Sequence, residues 1–234
     1  MRIYIDLHIH TALSPCGDED MTPNNIVNMA KLKGLDAIAI TDHNSCENAK
    51  ACMELGQKLG LIVIPGMEIQ TREDVHALCL FKDIESAIVF QEKVYSSLPP
   101  IKNKSDIFGR QIIYDSNDNI IGINERMLLI SADMSFDEAC CITKELNGAF
   151  IPAHIDRNSN SVILNLGFIP ENLPIKTLEY YKSEGLMKLK EANLIKPTYN
   201  FIKSSDAHYL LDILERESYI DVDEFTISNI IDIL

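Results

Sequence analysis

The run Asp6-Leu7-His8-Ile9-His10-Thr11, directly after the β-branched and aromatic segment Arg2-Ile3-Tyr4-Ile5, constrains this chain more than any other stretch. The segment predicts a strand, and in a strand side chains two apart share a face. His8 and His10 are therefore expected to project together from its C-terminal end, with Asp6 on the same side to accept a ring N–H. Two imidazoles backed by a carboxylate form half of a metal site. Whatever fold follows must bring further ligands to that strand end.

Strands and helices then alternate. Thr22 as N-cap and Pro23 at the first helical position start a helix that runs to about Lys33 and stops at Gly34. Residues 36–41 read as a buried strand with Asp42-His43-Asn44 at its end. A helix from about Glu47 to Leu59 stops at Gly60, and the strand 61–65 leads into Gly66-Met67-Glu68. This order predicts right-handed crossovers and a parallel sheet. Further strands are expected at 75–81, 149–153, 177–181, 199–203 and 218–222, with helices over 84–96, 136–146 and from about Glu224. Pro99-Pro100 opens an insertion, about 99–135, that holds a hairpin. Its arms are Ile112–Tyr114 and Ile120–Ile123, and it lies ahead of the strand leading to His154. With no repeat, low-complexity run or linker, residues 1–234 are expected to form a single domain.

All six histidines fall in or beside these strands, and five sit at C-terminal ends: His8, His10, His43, His154 and His208. His76, near the start of its strand, fits least well. In an α/β barrel the strand ends open on one mouth, where catalytic groups collect. Asp42, Glu68 and Asp206 arrive there with the histidines, and imidazoles mixed with carboxylates are the donor set of a divalent metal cluster.

The chain has 35 acidic and 21 basic residues, a net charge of −14. That argues against long nucleic acids, whose binding depends on neutralising many phosphates. It leaves open a small phosphorylated substrate, a nucleotide among them, whose charge is met by metal ions in a pocket. No apolar run approaches the roughly 20 residues of a membrane span, and residues 1–10 lack the apolar core of a signal peptide. The six cysteines form no C-x-x-C pair, which suits a reducing compartment. A cytoplasmic protein is expected. Cys16 stands apart because it lies close to the histidine pair.

Together, Asp6-Leu7-His8-Ile9-His10-Thr11, Thr41-Asp42-His43-Asn44, Gly66-Met67-Glu68, Val75-His76-Ala77, Ala153-His154 and Ser205-Asp206-Ala207-His208 resemble, in order, the motifs of the PHP (polymerase and histidinol phosphatase) family. The resemblance implies an α/β fold, a distorted (β/α)7 TIM-like barrel. It also implies two or three divalent ions (zinc, iron or manganese) and hydrolysis of phosphate esters by a metal-bound hydroxide. By position, His8, His10, Glu68 and Asp206 would hold one ion. His43 and His208, with an acid from the first loop, would hold a second; Glu68, His76 and His154 would hold a third, with Glu68 bridging.

The loop departs from the family pattern, since Ser14-Pro15-Cys16-Gly17-Asp18 stands where members commonly carry Ser-Asp-Gly. Counting back from Thr22-Pro23 favours Asp18 as the loop ligand, and counting forward from His10 favours Cys16. Asp18 is taken as the expected ligand, with Cys16 and Asp20 behind it. A cysteine would favour zinc or iron over manganese. Candidate catalytic residues are His43, His208 and Arg157, the last placed three after His154 to grip phosphoryl oxygens. Arg72 and Arg126 are weaker candidates, and the insertion is a candidate wall or lid over the mouth. A metal-dependent phosphoesterase acting on a small phosphomonoester or short nucleotide is the expected function. A 5′-directed exonuclease on short RNA or DNA, or a non-catalytic metal-binding regulatory module, is the alternative. An amidohydrolase acting on C–N bonds would want a metal-bridging lysine after a strand, and none is suitably placed.

Overall fold

Alternation along the first strand decides where the barrel interior lies. The computed structural model describes all 234 residues. In β1 (Arg2–Ile9), Ile3, Ile5 and Leu7 join a buried layer with Ala37 and Ala39 of β2 (Ala37–Ile40) and Ile64 of β3 (Ile62–Gln70). Leu78 and Leu80 of β4 (His76–Leu80) complete that side of the layer. The alternate residues Ile38, Ile40, Val63, Met67, Ala77 and Cys79 belong to a larger outer cluster beneath the helices. Strands apolar on both faces are what a helix-wrapped barrel requires.

Helices α1 (Pro23–Leu32) and α2 (Ala49–Leu59) link β1 to β2 and β2 to β3, and the three strands run parallel. Thr22 caps α1 by accepting from Asn25 N–H, and Gly60 ends α2 at φ +66°. A left-handed residue at a helix end costs glycine little.

The expected parallel alternation breaks at β4. β3 and β4 form an antiparallel hairpin, with Gln70 opposite His76, and β4 pairs antiparallel again with β7 (Ala149–Pro152). Because β4 runs against its neighbours, its first residue lies at the mouth, which explains the awkward sequence position of His76. Helices α3 (Ile84–Ser97), α4 (Ser105–Phe108) and α5 (Phe136–Glu145) lie between β4 and β7, with the hairpin β5 (Ile112–Tyr114) and β6 (Ile120–Ile123) inserted among them. That hairpin has the expected strand bounds. It packs on the loop after β1: Ile112 N–H donates to Ala12 O, and the Arg110 guanidinium grips Glu19 with two contacts of 2.8 and 2.5 Å.

After β7 come α6 (Val162–Leu166), β8 (Thr177–Tyr180), α7 (Ser183–Glu191) and β9 (Asn200–Lys203); β8 and β9 are parallel. Ile155 N–H donates to Glu179 O, joining the end of β7 to β8. Ala207 bonds to His8 O and His10 N–H, joining the end of β9 to β1. The ring β1-β2-β3-β4-β7-β8-β9 is the distorted barrel. β10 (Tyr219–Asp221) pairs antiparallel with the start of β1, and Ile230, Ile231 and Leu234 of the last helix, α8 (Ile227–Ile233 and its cap), plug the closed end. Helices α6 and α7 were not foreseen in the sequence. No helix is long and apolar enough to cross a membrane.

Candidate metal centre

His8 and His10 share a face, as the spacing predicts, but Asp6 does not join them. Against β2 the register advances three residues on β1, from Asp6 to Ile9, for two on β2. Such a bulge reverses the alternation between Asp6 and the histidines. The Asp6 carboxylate instead accepts from Ser205 N–H at 3.0 Å and Leu214 N–H at 2.9 Å, tying the loop after β9 to β1.

Other groups take the role expected of Asp6. Glu179, 1% exposed, lies 3.0 and 3.1 Å from His8 Nδ1 and also accepts from His154 N–H at 3.0 Å. The Ser14 hydroxyl stands 2.9 Å from His10 Nδ1 and donates to Asp42 Oδ1 at 2.7 Å, so it accepts from the ring. His208 Nδ1–H donates to Asp206 O at 2.9 Å. With all three Nδ1 atoms committed as donors, the three Nε2 atoms carry bare lone pairs.

Those lone pairs converge. His8 Nε2 and His10 Nε2 are 3.1 Å apart, and Asp206 Oδ1 lies 3.3 and 3.0 Å from them. Glu68, 1% exposed, is the hub. Its Oε1 lies 2.8 Å from His76 Nδ1, 3.1 Å from His154 Nε2 and 3.3 Å from His8 Nε2. Its Oε2, 2.9 Å from His43 Nδ1, makes no hydrogen bond, and buried His154 Nδ1 has no partner either. A buried carboxylate oxygen without a donor, ringed by imidazole nitrogens, fits a divalent cation. Three groups of side chains could hold an ion: His8, His10, Glu68 and Asp206; His10, His43 and His208; and His43, Glu68 and His76. His154 and Asp206 hold positive φ values of +30° and +53°. Strained backbone of that kind persists where the surroundings over-determine it, as at ligand sites.

Electrostatics agree. Burial alone would raise the Glu68 carboxyl, but His76, His8 and His43 pull it well below the usual carboxylate range. Burial likewise opposes, and His8 and His10 overcome, ionisation of Asp206. Burial, then His208 and His43, push His10 well below the ordinary histidine value, so it is a neutral donor. Burial disfavours charge on His8, yet Glu179, Asp206 and Glu68 raise it. This pocket calls for positive charge, and protons supply it where ions do not.

The loop places Asp18 and Cys16 differently. Neither Asp18 nor Cys16 is gathered into the three groups; Asp18 Oδ1 accepts from Asp20 N–H at 2.8 Å, and its own N–H donates to His208 O. Asp20 and Glu19 are exposed. Cys16 instead turns its sulfur toward His208 and His43. Burial of the thiol pushes its pKa up, but its contacts with His208 and His43 bring it down to about 6. The tight turn that closes with Gly17 N–H on Ser14 O brings in the residue two before the one expected from the backward count.

Arg157 sits at the edge of the cluster, its Nη1 donating to Asp206 Oδ2 and its guanidinium 4.2 Å over the Tyr181 ring. Arg72 pairs with Asp133 at the surface, and Arg126 stacks 4.4 Å over Tyr95 in the insertion; neither reaches the cluster. Sequence reasoning missed Glu179. Its signal was a single acid inside the apolar strand Thr177-Leu178-Glu179-Tyr180.

A PHP domain model matches residues 6–195. The chain belongs to the PHP domain family. Its metal-ligand-type residues Asp206 and His208 lie beyond the matched stretch, and the closure of β9 on β1 brings them to the site. Endonuclease Q from Pyrococcus furiosus has a similar fold (TM-score 0.71, 22% identity, 98% of this chain and 55% of that one). So has a putative metal-dependent phosphoesterase from Bifidobacterium adolescentis (TM-score 0.57, 20% identity, 87% of both chains). A phosphoribosyl 1,2-cyclic phosphate 1,2-diphosphodiesterase from Eggerthella lenta is 33% identical over 64 residues, 27% of this chain and 23% of that protein. An uncharacterized protein of Methanocaldococcus jannaschii is 36% identical over 98 residues, 38% of this chain and 57% of that protein. The chain thus spans only part of the curated relatives it matches.

A structure of endonuclease Q with a 27-mer duplex has an abasic lesion at its active site and shares this fold (TM-score 0.66, 20% identity).

Proposed function

We propose that this PHP-domain chain is a metal-dependent hydrolase of phosphate esters, acting on a small phosphomonoester or short nucleotide. The observation that carries the reading is the convergence of bare imidazole nitrogens and ionised carboxylates on one buried point, with His8 Nε2 and His10 Nε2 3.1 Å apart. His8, His10, Glu68 and Asp206 would hold one ion. His43 and His208, joined by Cys16 rather than Asp18, would hold a second, and Glu68, His76 and His154 a third. Divalent ions there would lower the pKa of a water and neutralise charge on the phosphoryl group.

The chain's own residues do the rest. Glu179 and the Ser14–Asp42 pair fix the tautomers of His8 and His10. Arg157 braces Asp206 through Nη1 and keeps Nε and Nη2 for a phosphoryl oxygen. The thiol at the second position favours zinc or iron, and six free cysteines suit a cytoplasmic setting.

The test is elemental analysis of protein purified without chelators, together with turnover of phosphomonoesters and short oligonucleotides. Two or three ions per chain and hydrolysis of monoesters are expected. Trace metal in active protein would overturn the reading. The fold shared with endonuclease Q favours a nuclease as the second reading, and cleavage of oligonucleotides with no action on monoesters would select it.

A further inference from the structure

The insertion, expected from the sequence as a wall or lid, is tied down along the side that meets the barrel. Ile112 N–H donates to Ala12 O at 2.8 Å, and the Asn48 side-chain amide donates to Thr11 Oγ1 at 2.8 Å and to Ile112 O at 2.9 Å. Ala12, Ile112 and Tyr114 form a small apolar cluster of their own. At the hairpin tip the Asp118 carboxylate accepts from Thr22 Oγ1 at 2.6 Å and from Asn24 N–H at 3.0 Å. Residues 11–24, the loop after β1 and the start of α1, are thus held along their length. A segment with these ties is a fixed support, not a moving lid. Its backbone meets the loop at Gly109, where a φ of +99° already favours glycine. A Cβ there would collide with the Pro15 carbonyl oxygen and stand 3.1 Å from its carbon. Glycine permits an approach this close because it has no Cβ.

Pro15 lies between the two loop residues that face the histidines. Ser14 Oγ accepts from His10 Nδ1–H at 2.9 Å and from His43 N–H at 3.1 Å, and Cys16 turns its sulfur toward His43 and His208. His10, His43 and His208 form one of the three groups that could hold an ion. We infer that the insertion is a brace for that one ion position: Gly109, seated on the Pro15 carbonyl, positions Ser14 and Cys16 and so sets the affinity of the ion beside them. Gly109 is then a positioning residue that acts through the loop, touching neither ion nor substrate. The inference rests on the metal-centre reading for the ion, and on the contacts of the insertion for the brace.

The test uses the full chain loaded with cobalt(II), challenged with increasing chelator while near-ultraviolet absorbance and retained cobalt are read. A thiolate-to-cobalt absorption in the parent, lost in Cys16→Ala, marks the ion at the loop. In Gly109→Ala that absorption should disappear at about 10- to 100-fold lower chelator, the usual cost of losing a group that supports a ligand. The cobalt held elsewhere should leave as it does from the parent. Gly56→Ala, another backbone clash but in α2, should lower stability and leave every ion as in the parent. A parent without the thiolate absorption would overturn the inference, as would Gly109→Ala losing all its ions alike or losing none sooner. Where Gly109→Ala does not fold, Arg110→Ala combined with Asp118→Gly loosens the brace without adding bulk. The same selective loss is required of that variant, and its absence would overturn the inference. Turnover is scored apart: selective loss of the loop ion from a protein that hydrolyses no phosphate ester would keep the brace while the phosphoesterase reading falls.

Discussion

His8 and His10 face each other across 3.1 Å at the centre of the cluster, so single substitutions around them should act first on metal affinity. Glu179→Gln is the sharpest case. Both Glu179 oxygens accept, from His8 Nδ1–H and His154 N–H, and an amide can satisfy only one of these donors. Loss of such a support typically weakens metal binding about 10- to 100-fold; metal titration of the refolded variant should show this with the barrel intact by circular dichroism. At the loop, Cys16→Ala should lower metal content and turnover, whereas Asp18→Ala, whose side chain caps only Asp20 N–H, should leave both near the parent. The reverse ranking would return the role to Asp18. Arg157→Ala should reduce kcat/KM about ten- to a hundredfold, the worth of roughly 1.5–3 kcal/mol in a charge-assisted contact. Lysine there should recover only part, since it keeps the charge without the planar fork. Parent-level turnover in Arg157→Ala would place the phosphate grip elsewhere.

At the scale of elements, β-strand direction matters more than helix propensity. The β3–β4 hairpin carries Glu68 and His76 to the same mouth by reversing the chain within five residues, 71–75. Helix α2 shows how packing limits the sequence. Gly56 lies in its interior, where alanine would ordinarily be favoured by about 1 kcal/mol. A Cβ there would stand 2.5 Å from Val63 Cγ2 and 2.7 Å from Leu61 O, and overpacking of this kind costs about 1–3 kcal/mol. The clash should win. Gly56→Ala is expected to lower the urea midpoint without changing the slope of the transition, and a raised midpoint would mean the β3 backbone yields more easily than its sheet pairing suggests.

Across the whole molecule, the candidate metal centre ties together strands far apart in sequence, since the side chains that could hold an ion run from His8 to His208. Ions that bind only the assembled site should therefore stabilise the entire barrel. At a free concentration a thousand times Kd, the linkage amounts to about 4 kcal/mol per site. Chelation should lower Tm by several degrees and re-addition of metal should restore it; an unchanged Tm would count against a metal joining these strands. The histidine-bearing strand ends, the helix bounded by Thr22 and Gly34, and the hairpin at Ile112–Ile123 were legible in the sequence, because caps, turns and side-chain periodicity are local. The reversal of β4, the bulge that turned Asp6 away from His8, the approach of Cys16 to His43 and His208 and the arrival of Glu179 beneath His8 were not. Each depends on strand register or on contact between residues distant in the chain, such as the 171 positions that separate His8 from Glu179. Local pattern thus determined that a cluster of metal-ligand-type residues would form at the barrel mouth, and long-range pairing decided which atoms face it.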